Sequence, residues 1–467
     1  DEKGETGARF RHAGVNPFHK TGRKPFSTFS IDVDTASYTI ARNYLSRGLL
    51  PPAESVRVEE FVNFFDYEYP SSRTETFSIH THCAPSKFGR GLHMLKIGVK
   101  ARRLGREEQR QAALTFLVDT SGSMDRRDRM GLVKKSLRML IEKLAGNDLV
   151  AIVQYGTGAR LALEHTPALR KREILGVIDK LQCGGSTNIE KGMQKAYRVA
   201  ADAFVPGAEN RVLILSDGVA NLGSGTSGDI LSSVEQYRKQ GIYCSVFGFG
   251  TGTYDDEMLE ALADKGNGIY SFIDSEKEAR RIFVTDLDAA LNTVASDVKI
   301  QVEFNPEHVK RYRQIGYENR MLRKQDFRND AVDAGEVGSG QSVTALYEID
   351  LKSAPAGAAV TSPRSGWAAV IRVRYRRADN GRMEERERRV RLDDIDESFS
   401  GAPARFRLAA CVAEFAEILR GSRFASGSRC EDVAAALQPV ALELNLDDRV
   451  SELLGLVNKA GESGNSR

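Results

Sequence analysis

Few cysteines and no long apolar run occur in this chain of 467 residues. The five cysteines are scattered without C-x-x-C spacing, which argues against a zinc framework and against a disulfide scaffold. No apolar run reaches the roughly 18 residues that a bilayer requires, so the sequence predicts no membrane-spanning helix. We therefore expect membrane anchoring only through a segment upstream of Asp1. The disulfide state of the cysteines is left open.

Histidine is also scarce, with seven in the whole chain. None lies beside a serine or cysteine in the setting of a nucleophile elbow, so we do not expect a catalytic triad. His80 and His82 share one face of a predicted strand and Cys83 follows them. No further ligand is evident near them, and the sequence therefore does not predict a metal site there.

Residues 29–36 place Asp32 and Asp34 at the end of a predicted strand. The pair is similar to the Asp-x-Asp of haloacid-dehalogenase phosphatases, in which the first carboxylate is the nucleophile. That pattern requires threonine or valine two residues after the second aspartate, and this chain has Ala36. A turn with a helix cap at Asp34 or Thr35 explains the segment better. We therefore expect a protein that is not an enzyme.

The overall charge is small, with a formal net charge of +3. Nine arginines between Arg372 and Arg391 lie on a predicted hairpin around residues 379–381. Glutamates at 384, 385 and 387 are near enough to offset part of this charge, and few aromatic residues are interleaved for base stacking. The sequence predicts a solvated sheet face, and no nucleic-acid partner.

An apolar strand over residues 114–118 continues directly into Asp119, and two hydroxyls follow at Ser121 and Ser123. Carboxylate and hydroxyl oxygens are ligands that suit Mg²⁺ or Mn²⁺. Gly122 allows the tight turn that would point the three side chains inward. We expect Asp119 at a rim of the fold. Each residue alone is more often a turn or N-cap residue, so the site needs further support.

Two later segments provide that support. Residues 184–190 form a loop of small residues that opens a helix and offers the hydroxyl of Thr187. Residues 211–218 contain a second buried strand that ends near Asp217. Both segments follow in chain order and stand in the same strand-to-loop context as Asp119.

These three motifs, in this order, resemble the metal-ion-dependent adhesion site (MIDAS) of the von Willebrand factor type A family. The matching residues are Asp119, Ser121, Ser123, Thr187 and Asp217. The resemblance implies a bound Mg²⁺, or Mn²⁺ or Ca²⁺, with one open position that an Asp or Glu of a protein partner fills. In the family the two serines are direct ligands. The threonine and the second aspartate change between direct and water-mediated contact as affinity switches.

Strand and helix patterns alternate through the region of this resemblance, residues 111–295. Apolar runs at 114–118, 149–153, 212–215 and 242–247 predict strands. Helical periods appear at 132–144, 174–181, 190–204 and 230–240. The expected fold class is α/β, a doubly wound, Rossmann-like domain.

The flanking segments resemble those of a bacterial group called YfbK-like. Residues 26–38 resemble the region found ahead of the type A domain in that group, and residues 333–348 resemble part of its carboxy-terminal domain. Strand patterns on both sides predict that the type A domain is inserted into a flanking β-sandwich, with helical segments at both ends of the chain. The predicted boundaries are a flexible leader at 1–24, the amino-terminal region at 25–110, the type A domain at 111–295, a β-rich domain with terminal helices at 296–460, and a tail at 461–467.

Together these patterns predict a cation-dependent protein-binding module that acts in adhesion or assembly. We expect it in the cell envelope, the periplasm or outside the cell. The alternative is a cytoplasmic scaffold that recruits a partner enzyme such as an ATPase. A third reading is a structural domain whose metal site no longer functions.

Overall fold

A computed structural model describes residues 14–105, 107–218, 227–250, 256–332, 334–352 and 366–465. Within these ranges no helix combines the length and apolar character that crossing a membrane requires. The first 13 residues of the predicted leader lie outside the described residues. So does Asp333, the first residue of the segment that resembles the YfbK-like carboxy-terminal domain.

Strands and helices are numbered here in chain order. The strands are β1 (His19–Lys20), β2 (Phe26–Ser30), β3 (Phe77–Pro85), β4 (His93–Ala101), β5 (Ala112–Asp119), β6 (Leu149–Tyr155), β7 (Ala159–Pro167), β8 (Glu209–Ser216), β9 (Ile242–Phe249), β10 (Tyr270–Ile273), β11 (Thr293–Phe304), β12 (Val309–Ile315), β13 (Met321–Leu322), β14 (Val337–Gly338), β15 (Ser342–Leu351), β16 (Trp367–Arg377) and β17 (Met383–Arg391). The α-helices are α1 (Ala36–Ser46), α2 (Val58–Asn63), α3 (Leu132–Lys143), α4 (Lys171–Asp179), α5 (Ile189–Asp202), α6 (Ser227–Lys239), α7 (Asp256–Lys265), α8 (Glu276–Arg280), α9 (Leu287–Leu291), α10 (Ala404–Leu419), α11 (Cys430–Glu443) and α12 (Asp448–Asn465).

The chain divides into two compact units, and residues 104–293 form the first. Its sheet has the order β10-β9-β8-β5-β6-β7. The first five of these strands pair in parallel, and β7 joins β6 in antiparallel fashion at the edge. Every residue of β5 and β8 is buried, as expected for central strands that are covered on both faces. The predicted doubly wound α/β domain is confirmed.

Alternating side chains of β5 supply both faces of this sheet. Phe116 and Val118 join an apolar cluster with Leu137 and Ile141 of α3. Leu117 points to the opposite face, where α5 packs closely because Gly192 has no side chain. A Cβ atom at Gly192 would lie 2.8 Å from Tyr155 at the end of β6. This close packing holds α5 against the end of β6, where Tyr155 pairs with Asp119 of β5.

The second unit contains residues 14–103 and 294–465 of the described chain. One sheet has the order β1-β12-β15-β4-β3, and the other has the order β13-β2-β11-β16-β17. Each sheet uses strands from both sides of the α/β unit in the sequence. Side chains join the two sheets: Phe77 packs on Tyr375 with ring centroids 4.8 Å apart, and the hydroxyl of Tyr347 donates to Ser27 Oγ at 3.1 Å. The predicted β-sandwich is our interpretation of these two sheets.

Helices from both ends of the chain share one apolar cluster in this unit. Tyr38 of α1 stacks on Phe64 with centroids 4.0 Å apart, and Phe61 of α2 contacts Phe415 of α10. Residues of α11 and α12, including Leu453, complete the cluster. The amino-terminal and carboxy-terminal helices therefore stabilise each other through apolar burial.

The structure corrects the predicted ends of the chain. Asn16 donates its side-chain amide to the carbonyl of Gly316 at 2.8 Å, and β1 pairs with β12. Residues 14–24 are therefore not a flexible leader, because they add a short strand to a sheet. At the other end, α12 continues past Gly461 to Asn465, so the predicted tail is helical over those residues.

The arginine-rich hairpin of β16 and β17 is largely neutralised by ion pairs. Arg372 pairs with Glu303 and Glu387, and Arg374 pairs with Asp330. These contacts agree with the interpretation of the hairpin as a solvated sheet face.

Buried charges connect the second unit's sheet to α10. Arg313 of β12 binds Glu348 of β15 at 2.7 Å and Glu417 of α10 at 3.0 Å. Arg420 pairs with Glu417 and lies 3.0 Å from Glu318. Such a network is satisfied only when all of its elements are in place, so it favours one arrangement of α10 on the sheet.

Glu59 of α2 is a buried carboxyl group outside this network of ion pairs. Its Oε2 has no hydrogen-bond partner among the described residues. Burial, followed by the nearby charges of Glu318 and Asp32, raises the pKa of Glu59 from 4.5 to about 8. Glu59 is therefore protonated in the folded protein at neutral pH.

We predict that Glu59 makes folding less favourable as pH rises from about 5 to about 7.5. In that range the folded state retains the proton that the unfolded state releases, so the free energy of unfolding falls by up to ~1.4 kcal/mol per pH unit. Glu59→Gln should remove this contribution. Chemical denaturation across the pH range measures it, with the exposed Glu307→Gln as the control. An unchanged pH slope in Glu59→Gln would contradict the raised pKa.

Gly98→Ala should destabilise the second unit. A Cβ atom at Gly98 in β4 would lie 2.2 Å from Cζ of Tyr69, whose hydroxyl is 3.0 Å from Thr344 Oγ1. Overpacking of this kind costs ~1–3 kcal/mol. Gly455→Ala is the control, because nothing lies within 4 Å of that helical position. That variant should gain ~0.5–1 kcal/mol in urea unfolding. Similar effects of the two variants would refute the predicted clash.

Candidate metal site

Asp119, the last residue of β5, has no exposed surface. Its Oδ1 accepts from the backbone N–H of Ser121 at 2.9 Å. Its Oδ2 accepts from the hydroxyls of Tyr155 and Ser216, each at 3.0 Å. The expected position at a rim is therefore wrong. The carboxylate is enclosed because β6 and β8 flank β5 and end beside it.

The enclosure has an electrostatic cost. Burial raises the pKa of Asp119, and the nearby charge of Asp217 raises it further, whereas the side-chain and backbone hydrogen bonds of Ser121 and the Ser216 hydroxyl lower it. Two buried carboxylates at the ends of neighbouring strands favour a positive charge near them. The site is therefore chemically suited to a cation.

Ser121 and Ser123 follow Asp119 in the turn after β5. Their Oγ atoms lie 3.0 Å apart. Two adjacent ligands of an octahedral Mg²⁺ ion, each at about 2.1 Å, are separated by about 3.0 Å, so this spacing fits two neighbouring coordination positions. The predicted ligand atoms, from hydroxyls and carboxylates, are all oxygens, which hard cations prefer.

The loop with Thr187 is held against the same turn by backbone contacts. Gly184 N–H donates to the carbonyl of Thr120 at 2.9 Å, and Gly122 N–H donates to the carbonyl of Gly185 at 3.1 Å. Gly185 has φ +79°, and a Cβ atom there would lie 2.4 Å from Thr157 Oγ1. Glycine is therefore required for this approach. Thr187 is partly buried just after it, directly before the N-cap residue of α5.

Asp217 directly follows β8 and forms an ion pair with Arg129. The same guanidinium nitrogen, Nη1, donates to the carbonyl oxygen of Ser123 at 2.8 Å. Sequence analysis missed Arg129, which lies in the basic run of residues 126–129 that resembles an exposed turn. It also missed Tyr155 and Ser216, although both stand at the ends of buried apolar runs, which is a usable signal.

The other candidate sites of the sequence are engaged elsewhere. His80 Nε2 is 2.9 Å from the carbonyl oxygen of Pro70, and His82 Nε2 is 2.6 Å from Asp396 Oδ2. Asp32 and Asp34 both lie near Arg320, at 3.3 and 3.7 Å. In the described ranges, no group of three or more His, Cys, Asp or Glu side chains is placed to hold a metal. The predicted site at Asp119 is of another kind, because it has only two carboxylates and its other predicted ligands are hydroxyls.

All five cysteines are free thiols, and all lie in the described part of the chain. Cys83, Cys244 and Cys411 are buried. Burial raises the pKa of the Cys244 thiol to about 11. The three buried cysteines therefore act as small apolar residues in this structure.

The fold and the candidate site define a von Willebrand factor type A domain. The family model described as "von Willebrand factor type A domain" matches residues 113–297. Two further models cover the flanks: "von Willebrand factor" at residues 5–96 and "Uncharacterized protein YfbK, C-terminal" at residues 289–462. The chain is 35% identical to YfbK of Escherichia coli (strain K12) over 444 residues, which are 91% of this chain and 76% of that protein. The chain therefore belongs to the YfbK family.

Solved structures with related folds include a von Willebrand factor type A protein from Catenulispora acidiphila. It is 17% identical, with a TM-score of 0.44, over 82% of this chain and 91% of that one. The ArnB paralog VWA2 from Sulfolobus acidocaldarius is 14% identical, with a TM-score of 0.39, over 83% of this chain and 98% of that one.

Tyr155→Phe should lower the stability of the α/β unit, because it removes one of the hydroxyl donors to Asp119 Oδ2. Loss of one hydrogen bond to a buried carboxylate costs ~1.5–3 kcal/mol. Thermal or urea unfolding measures the change. Tyr237→Phe removes a hydroxyl from a partly buried tyrosine of the same unit and serves as the control. Equal effects of both variants would show that the contact with Asp119 contributes little.

Proposed function

We propose that this protein is a divalent-cation-dependent protein-binding module. In this proposal Asp119, Ser121, Ser123, Thr187 and Asp217 hold Mg²⁺, or Mn²⁺ or Ca²⁺, and the partner is a protein that presents an Asp or Glu side chain. Type A domains commonly mediate interactions between proteins, which supports the binding class. The observation that carries the metal assignment is the 3.0 Å separation of the two serine hydroxyls beside two buried carboxylates.

The proposed ligands would contribute differently to metal binding. Ser121 and Ser123 provide neutral oxygens, so they bind a cation without cancelling its charge. Asp119 provides the negative charge while its Oδ2 stays fixed by Tyr155 and Ser216. A bound cation would supply an electron-poor position that attracts an external carboxylate.

We further propose that the protein binds and does not catalyse. The Asp-x-Asp pair is engaged by Arg320, and His82 is engaged by Asp396, so these side chains already have structural partners. The expected cell-envelope location and the insertion into a β-sandwich stay predictions. The alternative of a scaffold that recruits an ATPase would use the same site and differ in its partner.

The metal assignment is tested by calorimetric titration of metal-stripped protein with Mn²⁺ and Mg²⁺. Ser123→Ala should weaken binding by at least ~10-fold, since losing even outer-shell groups costs about that much. Ser232→Ala, at an exposed position of α6, should bind as the wild type does. Equal affinities of both variants would place the metal elsewhere. No binding by any of the proteins would refute a working site.

The partner class is tested on an array of short peptides with and without Asp or Glu. The wild-type protein is applied in Mg²⁺ and, separately, in EDTA. Peptides that bind should be enriched in acidic residues and should lose the protein in EDTA. Binding that persists in EDTA, or that ignores acidic residues, would contradict recognition through the metal.

A further inference from the structure

We propose that Arg129 is an internal cation of the metal site, which competes with the divalent ion for Asp217 and thereby weakens metal binding. This inference rests on the proposed function, since it concerns regulation of the same site. It assigns a role to a side chain that is not one of the five predicted ligands.

The position of Arg129 suits this role. It lies in a single π-helical turn, Arg127–Gly131, that connects the turn after β5 to α3. Turns of this kind are frequent at functional sites. Its Nη1 bonds both the side chain of Asp217, after β8, and the carbonyl oxygen of Ser123, after β5. One guanidinium thus connects the two segments that carry the predicted carboxylate and hydroxyl ligands.

The arginine is built into the fold. Its side chain is 9% exposed, and that of Asp217 is 0% exposed. Gly250, which follows β9, has φ +86°, and a Cβ atom there would lie 2.5 Å from Arg129 Cγ and 2.8 Å from Nε. The backbone after β9 therefore leaves room for this side chain only because residue 250 is glycine. A surface ion pair would not need such a slot.

Two consequences follow for the metal. A divalent cation that contacts Asp217 meets a carboxylate whose charge Arg129 already offsets, and it is repelled by the guanidinium. Low exposure limits screening by solvent and salt, so the opposition persists at ordinary ionic strength. Metal binding must therefore either loosen the Arg129–Asp217 pair or proceed with reduced affinity.

Without metal, the same pair stabilises the site. Arg129 neutralises Asp217, which would otherwise be a buried, uncompensated charge next to Asp119. Removing the arginine should make the fold depend on the metal. Metal affinity and metal-free stability should therefore change in opposite directions.

The experiment compares Arg129→Gln with Arg127→Gln. Arg127 lies in the same π-helical turn and loses the same charge, but its side chain is exposed. Calorimetric titration with Mn²⁺ should show at least ~10-fold tighter binding by Arg129→Gln, which corresponds to ~1.4 kcal/mol. Arg127→Gln should stay within ~2-fold of the wild type. In EDTA, Arg129→Gln should melt below the wild type, and Mn²⁺ should restore more of its melting temperature.

The outcomes separate this inference from the function on which it rests. Tighter binding by Arg129→Gln, or binding by that variant alone, supports the competition. If the wild type binds Mn²⁺ and Arg129→Gln binds equally or more weakly, Arg129 is a supporting group and the inference is wrong, while the metal site stands. If neither protein binds Mn²⁺, the proposed function fails and the inference fails with it.

Arg129→Lys covers the case in which Arg129→Gln does not fold. Lysine keeps the positive charge, but its side chain ends one atom short of Nη1, the nitrogen that bonds both Asp217 and Ser123. It should therefore bind Mn²⁺ about 3-fold more tightly than the wild type. If Arg129→Gln cannot be folded and Arg129→Lys matches the wild-type affinity, the competition is refuted.

Discussion

The carboxylate of Asp119 is buried at the end of β5, a central parallel strand. The arrangement of side chains at the neighbouring strand ends depends on this buried charge. A charge in this position must be compensated, and the chain does so with donors from three other segments: the backbone of Ser121, the hydroxyl of Tyr155 at the end of β6 and the hydroxyl of Ser216 at the end of β8. Because these donors lie at adjacent strand ends, the parallel order of the sheet is itself part of the site. Arg129 already pairs with Asp217, so the negative charge that a divalent cation would balance is mainly that of Asp119.

Charge compensation also organises the second unit, with a different result. The buried carboxylates of its network at α10 face arginines of the same unit, as in the contacts of Arg313 with Glu348 and Glu417. No open position for an external charge is left at that arginine, because both of its carboxylate partners come from the chain. The network therefore specifies how α10 lies on the sheet, while the α/β unit retains a site at which hydroxyl oxygens converge.

Sequence analysis predicted best those features whose signal lies in a few neighbouring residues. The central strands and their helices were predicted within a few residues, because a continuous apolar run followed by a helical period is a local pattern. The short strand β1 was missed, and residues 14–24 were taken for a flexible leader, since its pairing partner β12 lies almost 300 residues away. The edge strand β7 was missed too, because an edge strand has a mixed burial pattern and a weak apolar period.

The sequence by itself determined the α/β class, and it predicted the three site motifs and their five oxygen-bearing side chains, because each of these is encoded in a few consecutive residues. Tertiary structure alone decided that Asp119 is enclosed instead of lying at a rim. It also decided that Arg129 reaches Asp217, 88 residues further along the chain. The physical reason is common to both: burial and ion pairing depend on which distant segments the sheet brings side by side, and no local pattern around Asp119 or Arg129 records those neighbours.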